Sequence, residues 1–205
     1  KMKRRIKSVN AKMEHKINNR KSEYKVDKLF PNRWSPRAMS GAVTKEELMT
    51  LFEAARWAPS SYNNQPWRFI YSIKGTKNWN KFFNLLVDFN KMWVKDAGAL
   101  ILIVSKKTFD HNGELSITHS FDAGAAWQNL ALQGSIMGLV IHGMQGFDYV
   151  KAKTELNIPD EYDVEAMIAI GKLGKKEDLP KEIQEREFPS DRKKISEIVF
   201  EGGFK

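Results

Sequence analysis

The chain has 205 residues, enough for one substantial core, and no apolar run near the ~20 residues of a membrane span. It has no cysteine, which excludes disulfides and thiolate chemistry and leaves any redox work to a bound group. Its net charge of +9 is uneven: residues 1–28 carry eleven Lys or Arg against Glu14, Glu23 and Asp27, so +8 sits in that segment and the body is nearly neutral. That distribution argues against a nucleic-acid surface.

Within the basic segment, Met2, Ile6, Val9, Met13 and Ile17 are spaced by three or four and predict a helix with one narrow apolar stripe. Such a helix suits an arm packed on its own or a neighbouring subunit. Contact with an anionic membrane is the less favoured use, because the stripe lacks aromatic anchors. The chain opens on Lys1 rather than Met, as a trimmed chain would, and no apolar segment of secretory type follows. The expected organisation is a basic arm over 1–28 and one domain over 29–205, in the cytoplasm.

Asn32-Arg33-Trp34-Ser35-Pro36-Arg37 comes next, with Pro31 and Pro36 keeping it out of an uninterrupted helix. Two arginines around a serine suit a phosphate monoester, through paired charge-assisted hydrogen bonds, although a solvated turn has the same composition. Thr44-Lys45-Glu46-Glu47 is a capping box, and Leu48, Leu51, Phe52 and Ala55 then fall on one helical face.

That helix leads into the most informative stretch, Glu53 to Tyr71 (EAARWAPSSYNNQPWRFIY). Ser60, Ser61, Asn63, Asn64 and Gln65 place five hydroxyl or amide groups in six positions, between a helix end and a strand start. Mixed donors and acceptors suit a neutral heterocycle, while turn chemistry alone is the plain alternative. Phe69–Ile73 reads as the first core strand, with Lys74-Gly75 turning the chain. Asn78–Lys95 reads as helical, its aromatics (Trp79, Phe82, Phe83, Phe89, Trp93) most simply core. Ala99–Val104 is a near-continuous apolar run, as in a strand covered on both faces.

Asp122–Met137 predicts a helix whose Ala and Gly residues permit close packing. Gly138–Ile141 reads as a strand leading to His142-Gly143-Met144-Gln145-Gly146-Phe147-Asp148, where Gly146 allows close backbone approach to a flat ligand. His142 invites the role of general acid, but a lone histidine at a strand end is more often structural. Asp148 is expected to cap a helix over Tyr149–Asn157, and Glu165–Gly171 is a further core strand. A charged segment then reaches Ser190-Asp191-Arg192-Lys193-Lys194, and Ile195, Ile198, Val199 and Phe200 are expected to close the fold. The four histidines lack metal-ligand spacing, and neither GxGxxG nor a Walker loop occurs, so no metal centre and no dinucleotide-binding Rossmann unit is indicated.

The run A-P-S-S-x-N-x-Q-P-W-x-F resembles the signature of the nitroreductase family, with Pro59, Ser60, Ser61, Asn63, Gln65, Pro66, Trp67 and Phe69 in place. R-x-S-x-R at 33–37, the M-x-G-F-D element at 144–148 and the late basic segment agree in order, so the resemblance covers roughly residues 30–200. It implies an α+β fold, a mixed and mainly antiparallel sheet wrapped by helices, in an intertwined homodimer with two FMN sites.

By the same resemblance Arg33, Trp34, Ser35 and Arg192 (Lys193 the alternative) serve the cofactor phosphate end. Arg37 lies nearer the ring, towards N1 and the C2 carbonyl. Pro59, Ser60, Ser61, Asn63, Gln65, Met144, Gln145 and Gly146 complete the flavin site, and Tyr62, Asn90 and Trp93 belong to the substrate pocket. Gln145 stands where many members carry an acid. The implied activity is electron transfer from NADPH or NADH through flavin to nitroaromatic, quinone or activated-alkene acceptors, in a ping-pong sequence. The same scaffold also serves dehalogenation, azoline oxidation and flavin breakdown, and a non-catalytic or redox-sensing flavin protein is the alternative outside enzymes.

Overall fold

The structure, a computed structural model, describes residues 20–204. The apolar stripe Met2–Ile17 lies outside them. The chain divides into two compact units, one formed by residues up to Trp34 together with those from Phe188 onward, the other by Ser35–Glu187.

Among its described residues the first unit has one α-helical turn, α1 (Leu29–Asn32), and a short 3-10 turn at Ile195–Glu197. Glu23 Oε1 accepts the Ile195 N–H at 3.0 Å, tying the early and late segments together. Of the apolar residues expected to close the fold, Ile195 is 37%, Ile198 59% and Val199 63% exposed, while Phe200 is half-buried.

The second unit holds the core. Its elements are β1 (Met39–Ser40), α2 (Lys45–Arg56), β2 (Trp67–Ile73), α3 (Trp79–Phe83), α4 (Asp88–Val94), β3 (Ala99–Lys106), α5 (His119–Ile136), β4 (Leu139–Met144), α6 (Tyr149–Glu155), β5 (Tyr162–Leu173) and α7 (Lys181–Gln184). All pairings among the named strands are antiparallel. β3 pairs β2 from Trp67↔Ser105 to Ile73↔Ala99, and pairs β5 from Ala99↔Ile170 to Lys106↔Tyr162 with a bulge at Ile103/Val104. β4 pairs β5 from Leu139↔Lys172 to Met144↔Met167, and β1 pairs its end at Met39↔Leu173.

Side chains alternate across a strand, so β3 feeds two apolar layers. Leu100, Leu102 and Val104 pack with Phe82, Leu85, Trp93 and Val94 on one face of the sheet. Ala99, Ile101 and Ile103 pack with Leu48, Leu51, Ala55, Ala126 and Leu130 on the other. Burial on both faces explains why β3 reads as an unbroken apolar run, each such side chain contributing about 1.5–3 kcal/mol.

The capping box forms as read: Thr44 Oγ1 accepts the Glu47 N–H at 3.1 Å, and Glu47 Oε2 accepts the Thr44 N–H at 2.7 Å. Asp148 likewise caps α6, accepting the Lys151 N–H at 2.8 Å. Several bounds shift: β2 begins at Trp67, α5 at His119, β4 runs on to Met144, α6 stops at Glu155, and β5 extends over 12 residues.

One element departs from expectation. Asn78–Lys95 is two short helices rather than one. At the break, Val87 N–H donates to Gly146 O (3.1 Å), Asp148 N–H donates to Leu85 O (2.8 Å), and Leu86 bridges Phe147 in β fashion. Hydrogen bonding to a distant segment replaces the helical ladder there, and no local periodicity reports it.

Helix α5 sits very close to β4. A Cβ placed on Gly134 would press on Ile141 Cγ1 and lie 2.6 Å from Ile141 Cδ1, so only glycine permits this approach. Around Gly124, by contrast, nothing lies within 4 Å, and Phe121 on the same helix is 80% exposed.

Candidate functional site

Within the second unit the site is built on the loop between α2 and β2. Tyr62, Asn63 and Gln65 all have positive φ (52°, 52° and 48°), a left-handed conformation that costs any residue with a Cβ. Three such residues in four positions persist only because the surroundings hold them. Ser60 Oγ accepts the Gln65 N–H at 3.0 Å, closing the loop on itself. Asn64 Nδ2 donates to Thr108 O (3.3 Å), and its Oδ1 accepts the Asp110 N–H (2.9 Å). Asn64, one of the five polar groups of the stretch, is thereby spent on anchoring.

The strongest anchor is Asp122, in the first turn of α5 and only 4% exposed. Its Oδ2 accepts the Ser61 N–H at 3.1 Å, a charge-assisted bond, and lies 3.4 Å from the Thr118 hydroxyl. The start of α5 is itself pinned. Glu165 accepts hydrogen bonds from the Ser105 and Ser120 hydroxyls, the latter at 2.7 Å, and Ser105 Oγ is 2.7 Å from His119 Nδ1. Ser105 is Trp67's partner across β2 and β3, so the same network fixes the strand that leaves the loop.

What the loop presents is specific. Tyr62 is 81% exposed, its ring edge-on to Phe109 (5.5 Å) and tilted against His111 (5.5 Å). Gln65 Nε2 donates to Asn63 O (3.1 Å) and Asn63 Oδ1 (3.2 Å), orienting both amides. Asn63 and Pro59 are exposed, and Ser60 and Ser61 are half-buried.

A second group forms around Gly146. Asn90 Nδ2 donates to Gly146 O at 2.9 Å, and Trp93 Nε1 donates to Asn90 Oδ1 at 3.3 Å. Trp93 is 1% exposed and belongs to the core, as its aromatic character suggested, so its indole orients Asn90 from behind. The His142 ring lies 4.6 Å from Trp93, and its Nδ1 donates to Pro36 O at 2.9 Å. Since a carbonyl can only accept, that bond puts a proton on Nδ1. Met144 is buried, Gln145 is exposed, and a Cβ on Gly146 would fall 2.6 Å from Asn90 Nδ2.

Arg37 is held by a residue that carries no motif. Glu187, 6% exposed, accepts the Arg37 N–H (2.9 and 3.0 Å to its two oxygens) and the Ala38 N–H (2.9 Å). The Arg37 guanidinium is 4.0 Å from the same carboxylate and donates to Arg186 O at 3.4 Å. Ser35 is half-buried on the same segment.

In the first unit, Arg33 and Arg192 come within electrostatic reach. Burial, then the Arg192 charge, pushes the Arg33 guanidinium below its usual range. Arg192 Nη1 donates to Ser190 O (3.2 Å), Ser190 Oγ (3.3 Å) and Asp191 O (3.0 Å). Arg20, passed over as one basic residue among many, joins them: its Nη1 donates to Pro31 O (3.1 Å) and Arg33 O (3.0 Å). Trp34 is half-buried. No group of acids and histidines suited to a metal ion occurs among the described residues, and none of their helices is long and apolar enough to cross a membrane.

A strained, externally locked loop of amides and hydroxyls marks a candidate functional site. Comparison with known proteins gives the class. The Nitroreductase family model matches residues 32–172. An oxidoreductase of known structure, described as containing FMN, is 47% identical, with TM-score 0.88 over 92% of this chain and 97% of that one. A putative nitroreductase from Desulfovibrio desulfuricans, solved with FMN, is 25% identical, with TM-score 0.67 over 90% and 100% of the two chains. The oxygen-insensitive NADPH nitroreductase of Helicobacter acinonychis (strain Sheeba) is 40% identical over 65 residues, which is 31% of this chain and 30% of that enzyme. The fold is that of an FMN-type oxidoreductase. The chain belongs to the nitroreductase family.

Proposed function

We propose that the protein is an FMN-dependent oxidoreductase that draws electrons from NADPH or NADH. The observation that carries this reading is the Ser60–Gln65 loop, three strained residues locked by Asp122, Asn64 and Ser60 so that amides and hydroxyls stay in place. The names of the relatives, an FMN-containing oxidoreductase and an NADPH nitroreductase, support it. The residues fit the group. Crowded guanidiniums suit its phosphate, and oriented amides suit its polar ring edge.

When bound, FMN supplies hydride chemistry at N5, accepting from the nicotinamide donor and delivering to a nitroaromatic, quinone or activated alkene in a ping-pong sequence. Arg33, Trp34, Ser35 and Arg192 hold the phosphate end. Ser60, Ser61, Asn63 and Gln65, with Pro59 shaping the turn, hold the ring edge. Arg37 offers positive charge towards N1 and the C2 carbonyl, reduced by Glu187 at 4.0 Å. Met144, Gln145 and Gly146 would line the ring, with Asn90 packed against Gly146. Tyr62 and Asn90 face the acceptor, and Trp93 supports Asn90. His142, bonded to Pro36 O through Nδ1, positions its strand end.

The working unit in this proposal is a cytoplasmic homodimer in which the Arg33–Arg37 block and Arg192 come from one subunit and the Ser60–Gln65 loop from its partner. Support comes from the face of α5 bearing Phe121, Gly124, Gln128 and Ile136, exposed in the single chain although two of the four are large and apolar.

The test is an absorption spectrum of the purified protein, then anaerobic addition of NADPH and of NADH. Flavin bands around 450 nm that bleach with either donor, followed by turnover with an added quinone or nitroaromatic, are expected. Bleaching without turnover would instead point to a redox-sensing flavin protein. A colourless protein that does not take up FMN would overturn the reading.

A further inference from the structure

Glu187 stands just past α7, and packing fixes where it points. Leu179 and Ile183 are buried in the same apolar layer as Ala38 and Met39. Gln184 Nε2 donates to Leu179 O at 2.8 Å, which closes the α7 turn on itself. The Arg186 and Glu187 N–H groups then donate to Ile183 O (3.0 Å) and Gln184 O (3.1 Å), so the turn continues up to the carboxylate.

From there Glu187 takes the place of a strand partner. The Arg37 and Ala38 N–H groups both donate to its Oε1 at 2.9 Å, and the Arg37 N–H also reaches Oε2 at 3.0 Å. Pairing of β1 with β5 begins only at Met39. A backbone carbonyl could satisfy the same two N–H groups without taking a charge out of water, which costs free energy. What a carbonyl could not supply is a counter-charge. The Arg37 guanidinium lies 4.0 Å from Glu187 Oε2, and its Nη1 donates to Arg186 O at 3.4 Å, so two acceptors at this turn hold it. The two side chains are 24% and 3% exposed, and water screens such a pair weakly.

We propose that Glu187 is the positioning residue of Arg37: its oxygens set the backbone from which the guanidinium extends, and its charge holds the guanidinium back. That Arg37 faces a flavin rests on the functional reading above; its anchoring by Glu187 does not. Positive charge near N1 and the C2 carbonyl favours the reduced, more anionic flavin. By restraining Arg37, Glu187 keeps the reduction potential down and leaves the reduced cofactor a stronger donor.

The experiment is a dye-coupled redox titration of full-length protein at saturating FMN, for wild type, Glu187→Gln, Arg37→Gln and the double variant. Glu187→Gln keeps an oxygen for both N–H groups and removes the charge. It is expected to move the balance about tenfold towards reduced flavin, about 30 mV upward for a two-electron couple. With Arg37→Gln already present, the same change is expected to move it less than about threefold, or about 15 mV. An unchanged potential in Glu187→Gln would overturn the proposal. So would an equal shift with and without Arg37, since Glu187 would then act on the ring directly.

Amide hydrogen exchange of the flavin-free protein reads the anchor without the cofactor. In wild type the Arg37 and Ala38 amides are expected to be protected, although their acceptor is a side chain. Glu187→Ala is expected to speed both about thirtyfold and Glu187→Gln about threefold, beyond any loss of global stability read from urea unfolding. Unprotected amides in wild type, or exchange that rises only as far as global stability falls, would overturn the proposal. If wild type takes up no FMN, the functional reading fails separately, and the exchange of these two amides alone decides whether Glu187 positions Arg37.

Discussion

Removing the Asp122 carboxylate tests the claim that the Ser60–Gln65 loop is held by force. Left-handed conformation at Tyr62, Asn63 and Gln65 stores about 1 kcal/mol each, near 3 kcal/mol together. Against this stand the charge-assisted Ser61–Asp122 bond, about 2 kcal/mol, and three neutral bonds from Ser60 and Asn64, about 1 kcal/mol each. The locked loop is therefore favoured by only about 2 kcal/mol, which is what Asp122 supplies. Asp122→Ala should bring locked and relaxed loops to near balance, and should accelerate amide hydrogen exchange of residues 60–65 by roughly thirtyfold. Asp122→Asn keeps an acceptor and should produce about half that effect in free energy. Amide exchange resolved by NMR or mass spectrometry, beside a urea unfolding curve, separates local from global effects. If exchange in the loop rises only as much as global stability falls, the loop is not under separate restraint and the reasoning is refuted.

Gly134→Ala should destabilise the protein by about 1–3 kcal/mol, because the added methyl meets Ile141 and the α5–β4 contact must open. The drop in Tm, about 2–4 °C per kcal/mol at this size, is read by calorimetry. Phe121→Glu should convert the proposed dimer to monomers in sedimentation velocity while leaving far-UV dichroism intact, since Phe121 is 80% exposed in the single chain and contributes little to its core. Tyr149 should ionise above the usual phenol value near 10, because burial and then the Glu165 charge raise it. Ultraviolet titration of wild type against Tyr149→Phe checks this, and loss of an early-titrating rather than a late-titrating phenol would contradict it.

Where local chemistry decides the conformation, the residues alone were sufficient. A Thr side chain three residues before a Glu closes a capping box with no help from distant parts, and an unbroken apolar run admits few placements other than a strand covered on both faces. The polar loop was legible as a loop for the same reason, being bounded by Pro59, Pro66 and two periodic segments. Its strain was not, because nothing in Tyr-Asn-Asn-Gln demands positive φ.

The remaining features depend on partners remote in sequence. The break in the 78–95 helix is made by Gly146–Asp148 taking backbone hydrogen bonds that a helix would have kept. Asp122 and Glu187 have no local signature as anchors, since each satisfies N–H groups 61 and 150 residues away. Arg20 was one of eleven basic residues until folding set it against Arg33. The sequence by itself determined most of the helices and strands and the polar loop at 59–66, because those follow from periodicity and short-range bonding. Only the tertiary structure decided where the 78–95 helix breaks, which buried acid locks the loop and which carboxylate holds Arg37. Those choices depend on where charges come to rest once the apolar layers on both faces of β3 have packed.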